Sequence, residues 1–574
     1  MVSIRTLAAV AMGFNLSLLP LGAASPSHAS CRCMPGDKCW PGQHEWAQLN
    51  RTVGGKLISN VPLAHVCHDP TYDEDACNYL KEQWKWPVIH ETSSSDIMSA
   101  YFRNASCDPF TPREQPCELG NYPVYSINVS SAADIAAGVK FAQQKNIRLV
   151  IKNTGHDFLG KSTGKGSLGL WTHNMNDIRV FKNYNSTLYT GPAVRMGAGV
   201  RGAEALPATH DAGLIVVGGS CPSVGLTGGF TQGGGHGALS SSFGMGADQV
   251  LEWEVVTADG RHTTATPTKN ADLYWALSGG GPGAYAVVVS VTVRAYRDRR
   301  IGGAAMSFAS TGVSNDTYWK GIHAWQSFIP KLVDAGATAS YLISTEQFFL
   351  QPLTVPGASE NATRSLIKPF TDALSRLNIP FSLNITSDPT WMDHYVRYLG
   401  PLPQGQWPVD RLMGGRLIPR QVSTNNTDAL VGALRDMAEN TSAYLGFIAV
   451  QSDAAKAVAP NSILPQWRTS VASALIQTQW NLTAPMADNR AQLAELNDVV
   501  IPKIEAVTPG AGTYLNEANF ALASWKEDFY GVNYARLRRV KKTWDPRDLF
   551  YGPTMVGSDA WSVQGDGRLC RPAA

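Results

Sequence analysis

Gly218-Gly219-Ser220-Cys221-Pro222-Ser223-Val224-Gly225 carries the ninth cysteine of a chain whose other eight can pair among themselves. Cys31, Cys33, Cys39, Cys67, Cys77, Cys107 and Cys117 fall near the N-terminus and Cys570 near the other end, so Cys221 stands far from them among glycines. A thiol left over in an oxidising compartment calls for a chemical role.

The compartment follows from the first residues. Arg5, a mostly apolar run from Leu7 to Leu21 and the small residues Ala23-Ala24 and Ser27-His28-Ala29 form the pattern of a signal peptide, expected over 1–24 with cleavage as late as 29. Its apolar stretch is shorter than the roughly 20 residues of a spanning helix. Glycine clusters break the later uncharged stretches Ala212 to Ala247 and Leu273 to Val293. The mature chain is therefore expected to be secreted, soluble and free of membrane. Sequons at Asn50, Asn104, Asn128, Asn185, Asn315, Asn361, Asn384, Asn425, Asn440 and Asn481 agree with export and predict N-glycans.

In such a compartment the cysteines are expected as disulfides: Cys67 with Cys77, Cys107 with Cys117, and one bridge from Cys31, Cys33 or Cys39 to Cys570. The alternative is a zinc site built from Cys31-Arg32-Cys33 and His65-Val66-Cys67-His68, which export disfavours, so no metal is expected. A chain of 574 residues supports two or more domains. Its 48 basic and 46 acidic residues leave no electrostatic footprint for nucleic acid or anionic membrane.

The 53 glycines concentrate between positions 155 and 283. There, Tyr122 to Val129 alternates as a strand, Ser131 to Lys145 has helical spacing, and Ile147 to Lys152 is an apolar strand running into Asn153-Thr154-Gly155-His156-Asp157-Phe158-Leu159-Gly160. Further strands are expected at Gly169 to Trp171, Leu188 to Met196, Leu214 to Val217, Val250 to Thr257 and Ala286 to Val293, with helices at Gly202 to Ala212 and Asp272 to Ala276. The fold class is α+β. Phosphate-binding fingerprints fail on context. Gly164 to Gly169 leads into a strand, Gly197 to Gly202 lacks the acidic residue that would hold a ribose, and the Gly155 to Ser162 loop opens no helix. A Gly-x-Ser-x-Gly pattern at Gly160 to Gly164 lacks the strand-to-helix turn of a serine hydrolase. Three glycine clusters remain as backbone anion sites: Asn153 to Gly160, Gly225 to Gly237 and Gly279 to Gly283.

Thr154-Gly155-His156-Asp157, Cys221-Pro222-Ser223-Val224-Gly225 with Gly228-Gly229-Phe230-Thr231-Gln232-Gly233-Gly234-Gly235, Ala258-Asp259-Gly260, Leu273 to Leu277, Tyr514-Leu515-Asn516-Glu517-Ala518, and Phe529 to Leu537 with Lys541 and Asp545-Pro546 extend over about residues 119 to 557. In these motifs the chain resembles the berberine-bridge-enzyme-like branch of the vanillyl-alcohol-oxidase-type flavoproteins, in its fungal secreted form. The resemblance implies FAD bonded twice, His156 to the 8α-methyl carbon and Cys221 to C6 of the ring. It also implies cofactor contacts from Asn153, Thr154, Gly155, Asp157, Phe158, Gly160, Ser220, Val224, Gly225, Gly228, Gly229, Gly233, Gly234, Val256, Asn533 and Tyr534.

The same resemblance implies an FAD domain of the PCMH type over 119–299 behind a cysteine-rich segment 30–118. A substrate domain with an antiparallel sheet backed by helices follows over 300–524, and 525–574 returns to the FAD domain. Within the substrate domain, Phe348 to Gln351, Leu412 to Ile418 and Ala443 to Gln451 look strand-like, while Asn361 to Leu377 and Asp428 to Asn440 look helical.

For chemistry, a flavin takes hydride at N5, so a substrate C–H must lie above the ring with a base near the adjoining O–H. The family places Tyr514 there, with Asn516 or Glu517 assisting and His394 and Tyr395 as weaker alternatives. The chain departs from the family at Asn519, where an acidic residue is frequent. Val224, small and three residues beyond Cys221, implies reaction with O2 and release of hydrogen peroxide. The expectation is a monomeric oxidase of an alcohol, sugar, phenol or secondary metabolite, small molecule or oligosaccharide. The alternatives are a dehydrogenase with another acceptor or a flavin-containing binding protein without catalysis. Trp391, Trp407, Trp467 and Trp480 are available to stack on a ring, with core packing as their ordinary use.

Overall fold

The computed structural model describes residues 31–406 and 409–572; the expected leader and Trp407 lie outside the described residues. Three large sheets organise the chain, and the class is α+β.

The first sheet runs in the order β1 (Leu57–Ser59), β2 (Tyr125–Asn128), β4 (Ser167–Trp171), β3 (Arg148–Lys152), with β2, β3 and β4 parallel. Helix α1 (Ala132–Gln144) makes the crossover, and Ser131 caps it by accepting the Asp134 N–H at 3.2 Å. Ile135, Val139 and Ala142 recur at helical spacing and are buried against the sheet.

The second sheet is antiparallel, in the order β5 (Ile178–Asn185), β6 (Thr190–Gly197), β10 (Ala286–Arg294), β8 (Val250–Thr257), β9 (His262–Ala265). The expected strand from Leu188 is thus the second arm of a hairpin, and Leu188 itself is exposed in the turn. Its first arm, β5, escapes a sequence reading because Arg179, Lys182, Asn183 and Asn185 on this edge strand face water and dilute the alternation. Helix α2 (Gly202–His210) follows β6, and the short β7 (Leu214–Ile215) pairs with β11 (Tyr296–Arg297).

The third sheet has seven antiparallel strands: β15 (Phe381–Asp388), β12 (Ile301–Ala309), β14 (Gln347–Pro356), β13 (Thr338–Ile343), β17 (Tyr444–Ala449), β18 (Ser470–Gln479) and β16 (Arg411–Pro419). Helices α3 (Asn315–Asp334), α4 (Glu360–Arg376) and α6 (Thr427–Asn440) cover one face, whereas α5 (Trp391–Leu399) lies between this sheet and α2. Trp325 of α3 anchors the covered face, its ring 5.3 Å from those of Tyr341 and Phe348 and 5.0 Å from that of Phe370. Strand alternation turns Ser340, Leu342, Met413, Gly446, Ile448, Leu475 and Gln477 the other way, toward the glycine-rich half.

The chain then returns to the first half. Lys541 of α7 (Tyr534–Trp544) is buried and donates to the carbonyls of Ala284 and Phe550 at 2.7 and 2.8 Å and to Asp545 at 2.6 Å. Asp545 in turn accepts the N–H groups of Leu549 and Phe550. Cys31–Cys570 joins the two ends, and Cys33–Cys39, Cys67–Cys77 and Cys107–Cys117 close local loops. The cysteines of the alternative zinc site are consumed in these bridges. Among the described residues no helix is long and apolar enough to cross a membrane.

The Lys541–Asp545 pair gives a first test. Asp545→Ala leaves a buried ammonium without its counter-charge and two backbone N–H groups, of Leu549 and Phe550, without their acceptor, a change expected to cost about 3–5 kcal/mol. A clear drop in the chemical denaturation midpoint is expected; an unchanged midpoint contradicts the role given to the pair.

Candidate functional site

A cavity of about 520 Å3 lies between the glycine-rich half and the bare face of the seven-stranded sheet. His156 reaches it from the loop after β3. Lys152, buried at the end of that strand, donates to the carbonyls of His90 and Ser93 at 3.1 and 2.6 Å and so fastens the loop's base. Gly155 takes φ +90°, and a Cβ there would lie 3.1 Å from the Asp96 carbonyl oxygen and 3.3 Å from Ile97 Cα, so the turn needs glycine.

Cys221 reaches the cavity from the segment after β7, where the Tyr395 hydroxyl donates to the Ser220 carbonyl at 2.9 Å and pins the loop. Ser223, fully buried, joins the two. Its Oγ lies 2.8 Å from His156 Nε2 and 3.2 Å from Cys221 Sγ. Cys221 is the only free cysteine among the described residues.

The environment treats the two side chains differently. Burial, reinforced by the positive charges of His90, Lys152 and Arg201, pushes the His156 imidazole down to about 3 and keeps it neutral. Burial pushes the Cys221 thiol up, against hydrogen bonds from Ser223 that act the other way. With Nε2 engaged by Ser223, the nitrogen of His156 left as a nucleophile is Nδ1.

Around them the wall is built for a flat anionic ligand. The N–H groups of Thr154, Gly155, His156 and Asp157 donate to no acceptor among the described residues. The buried Lys161 ammonium also lacks an acceptor, and burial lowers it to about 8. Gly225 and Gly228 admit Asn153: a Cβ on them would lie 2.2 and 2.9 Å from its Nδ2, which donates to the Ala198 carbonyl. Asp157 braces the loop by accepting from Leu159 N–H and from Ser162 N–H and Oγ–H.

Against the second glycine cluster Tyr514, Asn516 and Glu517 converge. Asn516 Nδ2 donates to the Tyr514 hydroxyl and to the Gly229 carbonyl, both at 2.8 Å. Burial first, and the Glu517 charge second, raise the Tyr514 phenol far above its usual range, so it stays protonated. Glu517 Oε2 lies 2.9 Å from Nε2 of His236, whose ring meets Tyr514 edge-on with centroids 4.9 Å apart. His236 escaped the sequence reading because it sits unremarked in Gly233-Gly234-Gly235-His236-Gly237. Its signal was position, inside the second glycine cluster, Gly225 to Gly237.

Asn153, Thr154, Gly155, Asp157, Phe158, Ser220, Val224, Gly225, Gly228 and Gly229 line the cavity with His156 and Cys221. Other expected residues do not. His394 is sealed in the substrate half against Thr354 and Asp388, at 2.9 and 3.2 Å. Val256 is core beneath α1. Asn533 donates to the carbonyls of Ser462 and Ile463, and the Tyr534 hydroxyl accepts the Gly557 N–H. Gly160 packs on Phe102, Gly233 gives room to Asn516, and Gly234 supplies a turn at φ +112°. Trp391, Trp467 and Trp480 are buried packing residues, Trp467 against Tyr514.

Family models match the chain twice: an FAD binding domain over 123–266 and a berberine and berberine-like segment over 513–556. VAO-type flavoprotein oxidase VAO615 of Thermothelomyces thermophilus is 46% identical over 94% of this chain and 95% of its own length. FAD-linked oxidoreductase ZEB1 of Gibberella zeae is 44% identical over 97% and 98%. The crystal structure of VAO-type flavoprotein MtVAO615 from Myceliophthora thermophila has a TM-score of 0.92 at 44% identity, covering 94% of this chain and 100% of that one. A glucooligosaccharide oxidase from Acremonium strictum, whose FAD is 6-S-cysteinyl and 8α-N1-histidyl, has a TM-score of 0.63 at 19% identity, over 76% of this chain and 92% of that one, and shares the fold. The chain belongs to the VAO-type, berberine-like FAD-linked oxidoreductases. Its cavity fits that cofactor: free loop amides and the unpaired Lys161 suit a pyrophosphate, and a neutral imidazole and a thiol share one wall.

Buried imidazoles also set a pH dependence. Burial lowers His173 and His394 to about 4, so each binds a proton less readily folded than unfolded. The stability they allow is present above the ordinary histidine pKa near 6.5 and is lost as pH falls toward 4. The denaturation midpoint is expected to fall between pH 7 and pH 4.5, with a shallower fall in His173→Gln. A flat profile contradicts this.

Proposed function

We propose that this chain is a secreted oxidase whose FAD is bonded to both His156 and Cys221, and that it oxidises an alcohol carbon while O2 is reduced to hydrogen peroxide. The observation that carries the reading is the meeting of these two side chains on Ser223 at the cavity wall. Bound FAD supplies the hydride acceptor at N5. His156 presents Nδ1 in the neutral form, and Ser223 orients both the ring and the thiol. The 6-S-cysteinyl, 8α-N1-histidyl linkage named for the glucooligosaccharide oxidase supports the same pairing here.

The protonated Tyr514 donates to the substrate oxygen, and Asn516 fixes its hydroxyl. Glu517, held by His236, accepts the substrate O–H proton as its C–H bond breaks. This assignment moves the base from Tyr514 to the Glu517–His236 pair, because burial opposes a phenolate. Val224, small and on the cavity wall, leaves room for O2. Export is supported by the leader pattern, by four disulfides and by the sequons: eight of the ten asparagines are exposed, and Asn50 and Asn128 are half-buried.

The enzyme reduced anaerobically should regain its oxidised spectrum within seconds of air, with hydrogen peroxide formed; recovery only with an added quinone favours a dehydrogenase. Glu517→Gln should slow flavin reduction by about 100-fold or more. Ser223→Ala should lower the fraction of chains carrying both bonds severalfold and Ser223→Thr should restore it, as read by peptide mass. Full double attachment in Ser223→Ala removes the role given to this hydroxyl.

A further inference from the structure

Arg411 opens β16 on the bare face of the seven-stranded sheet, two residues before Met413, and lines the cavity. Among the described residues its guanidinium makes no hydrogen bond and no ion pair; its one recorded contact is with the ring of Tyr444, 4.6 Å from guanidinium carbon to centroid. The two carboxylates that line the cavity are occupied elsewhere, Asp157 by Ser162 and the Leu159 N–H and Glu517 by His236. A half-buried cation with five N–H donors therefore faces the cavity without a protein acceptor.

A guanidinium whose one neighbour is the π-face of a ring keeps its N–H donors free, and these form a planar fork matching the two oxygens of a carboxylate. The same face continues from it across the cavity. Gln477 adds an amide on the neighbouring β18, while Leu342 and Phe349, three and four strands farther along, are apolar, with Phe349 36% exposed although large and aromatic, and Gln351 adds a second amide. A neutral sugar would be served by the amides alone and gives no reason for an uncompensated charge.

We propose that the substrate is a hydroxy acid with an apolar body, its carboxylate bound bidentate by Arg411 and its alcohol carbon carried to the Tyr514 side of the cavity. This rests on the oxidase reading and names the substrate class for the same site. The C–H hydride goes to the flavin, the O–H proton to Glu517, and O2 takes up two electrons and two protons as hydrogen peroxide. The alcohol becomes a carbonyl and the carboxylate is unchanged.

The test is calorimetric titration of the holoenzyme with benzoate and with benzamide, its neutral isostere, followed by the flavin spectrum. Benzoate is expected to bind at least about tenfold more tightly than benzamide. Arg411→Gln should weaken benzoate by about 10- to 100-fold and leave benzamide unchanged, while Arg411→Lys recovers only part. Added salt should weaken benzoate alone. Equal affinity for the two probes, benzoate binding that survives Arg411→Gln, or no binding of benzoate at millimolar concentration each overturns the proposal. Flavin released on acid precipitation contradicts the double attachment but leaves the calorimetric comparison of charge intact, so the two failures are separable.

Discussion

The shared hydrogen-bonding of His156 and Cys221 to one buried hydroxyl is the constraint on which the site depends. The two side chains come from loops 65 residues apart, His156 after β3 and Cys221 after β7, and each loop has its own clamp. Lys152 holds the first through backbone carbonyls, and the Tyr395 hydroxyl holds the second from the other half of the molecule. Ser223 then sets their separation. A cofactor attached at both points has its ring plane fixed by covalent geometry, so the protein need not enclose it.

That freedom explains the bare sheet. Seven antiparallel strands usually bury one face and offer the other to water. Here the second face forms the roof of a cavity whose floor is glycine-rich loop, with Tyr514, Asn516 and Glu517 at its side. Asn516 ties that side to the glycine cluster behind Cys221 through the Gly229 carbonyl. The buried Lys541–Asp545 pair holds Phe550 by its carbonyl and its N–H and so keeps the returning C-terminal segment on the first half, where Phe550 and Tyr551 line the same cavity.

Much of this was legible in the sequence. The odd cysteine, two local disulfides and the α1 crossover need only cysteine arithmetic and periodicity, whereas the attachment roles of His156 and Cys221 came from the family resemblance. The edge strand β5 was not legible, because Lys182-Asn183 interrupts its alternation, and β12 was missed behind Gly302-Gly303-Ala304-Ala305, which carries little side-chain signal; β15 does alternate, at Phe381, Leu383 and Ile385, and was passed over. His236 and Arg411 gain meaning only through partners 281 residues away in one case and through the absence of one in the other. His394 misled for the opposite reason: a histidine beside a tyrosine in the substrate half reads as chemistry, yet its ring is spent on Thr354 and Asp388.

The central claim is that one cofactor is bonded to two loops of this chain. Peptide mapping by mass, after denaturation of the purified protein, tests it most directly. The account predicts one FAD cross-linking the peptides of His156 and Cys221, retained on one peptide in each single alanine variant and on neither in the double variant. Both peptides found at their unmodified masses in a flavin-replete wild-type protein would contradict it.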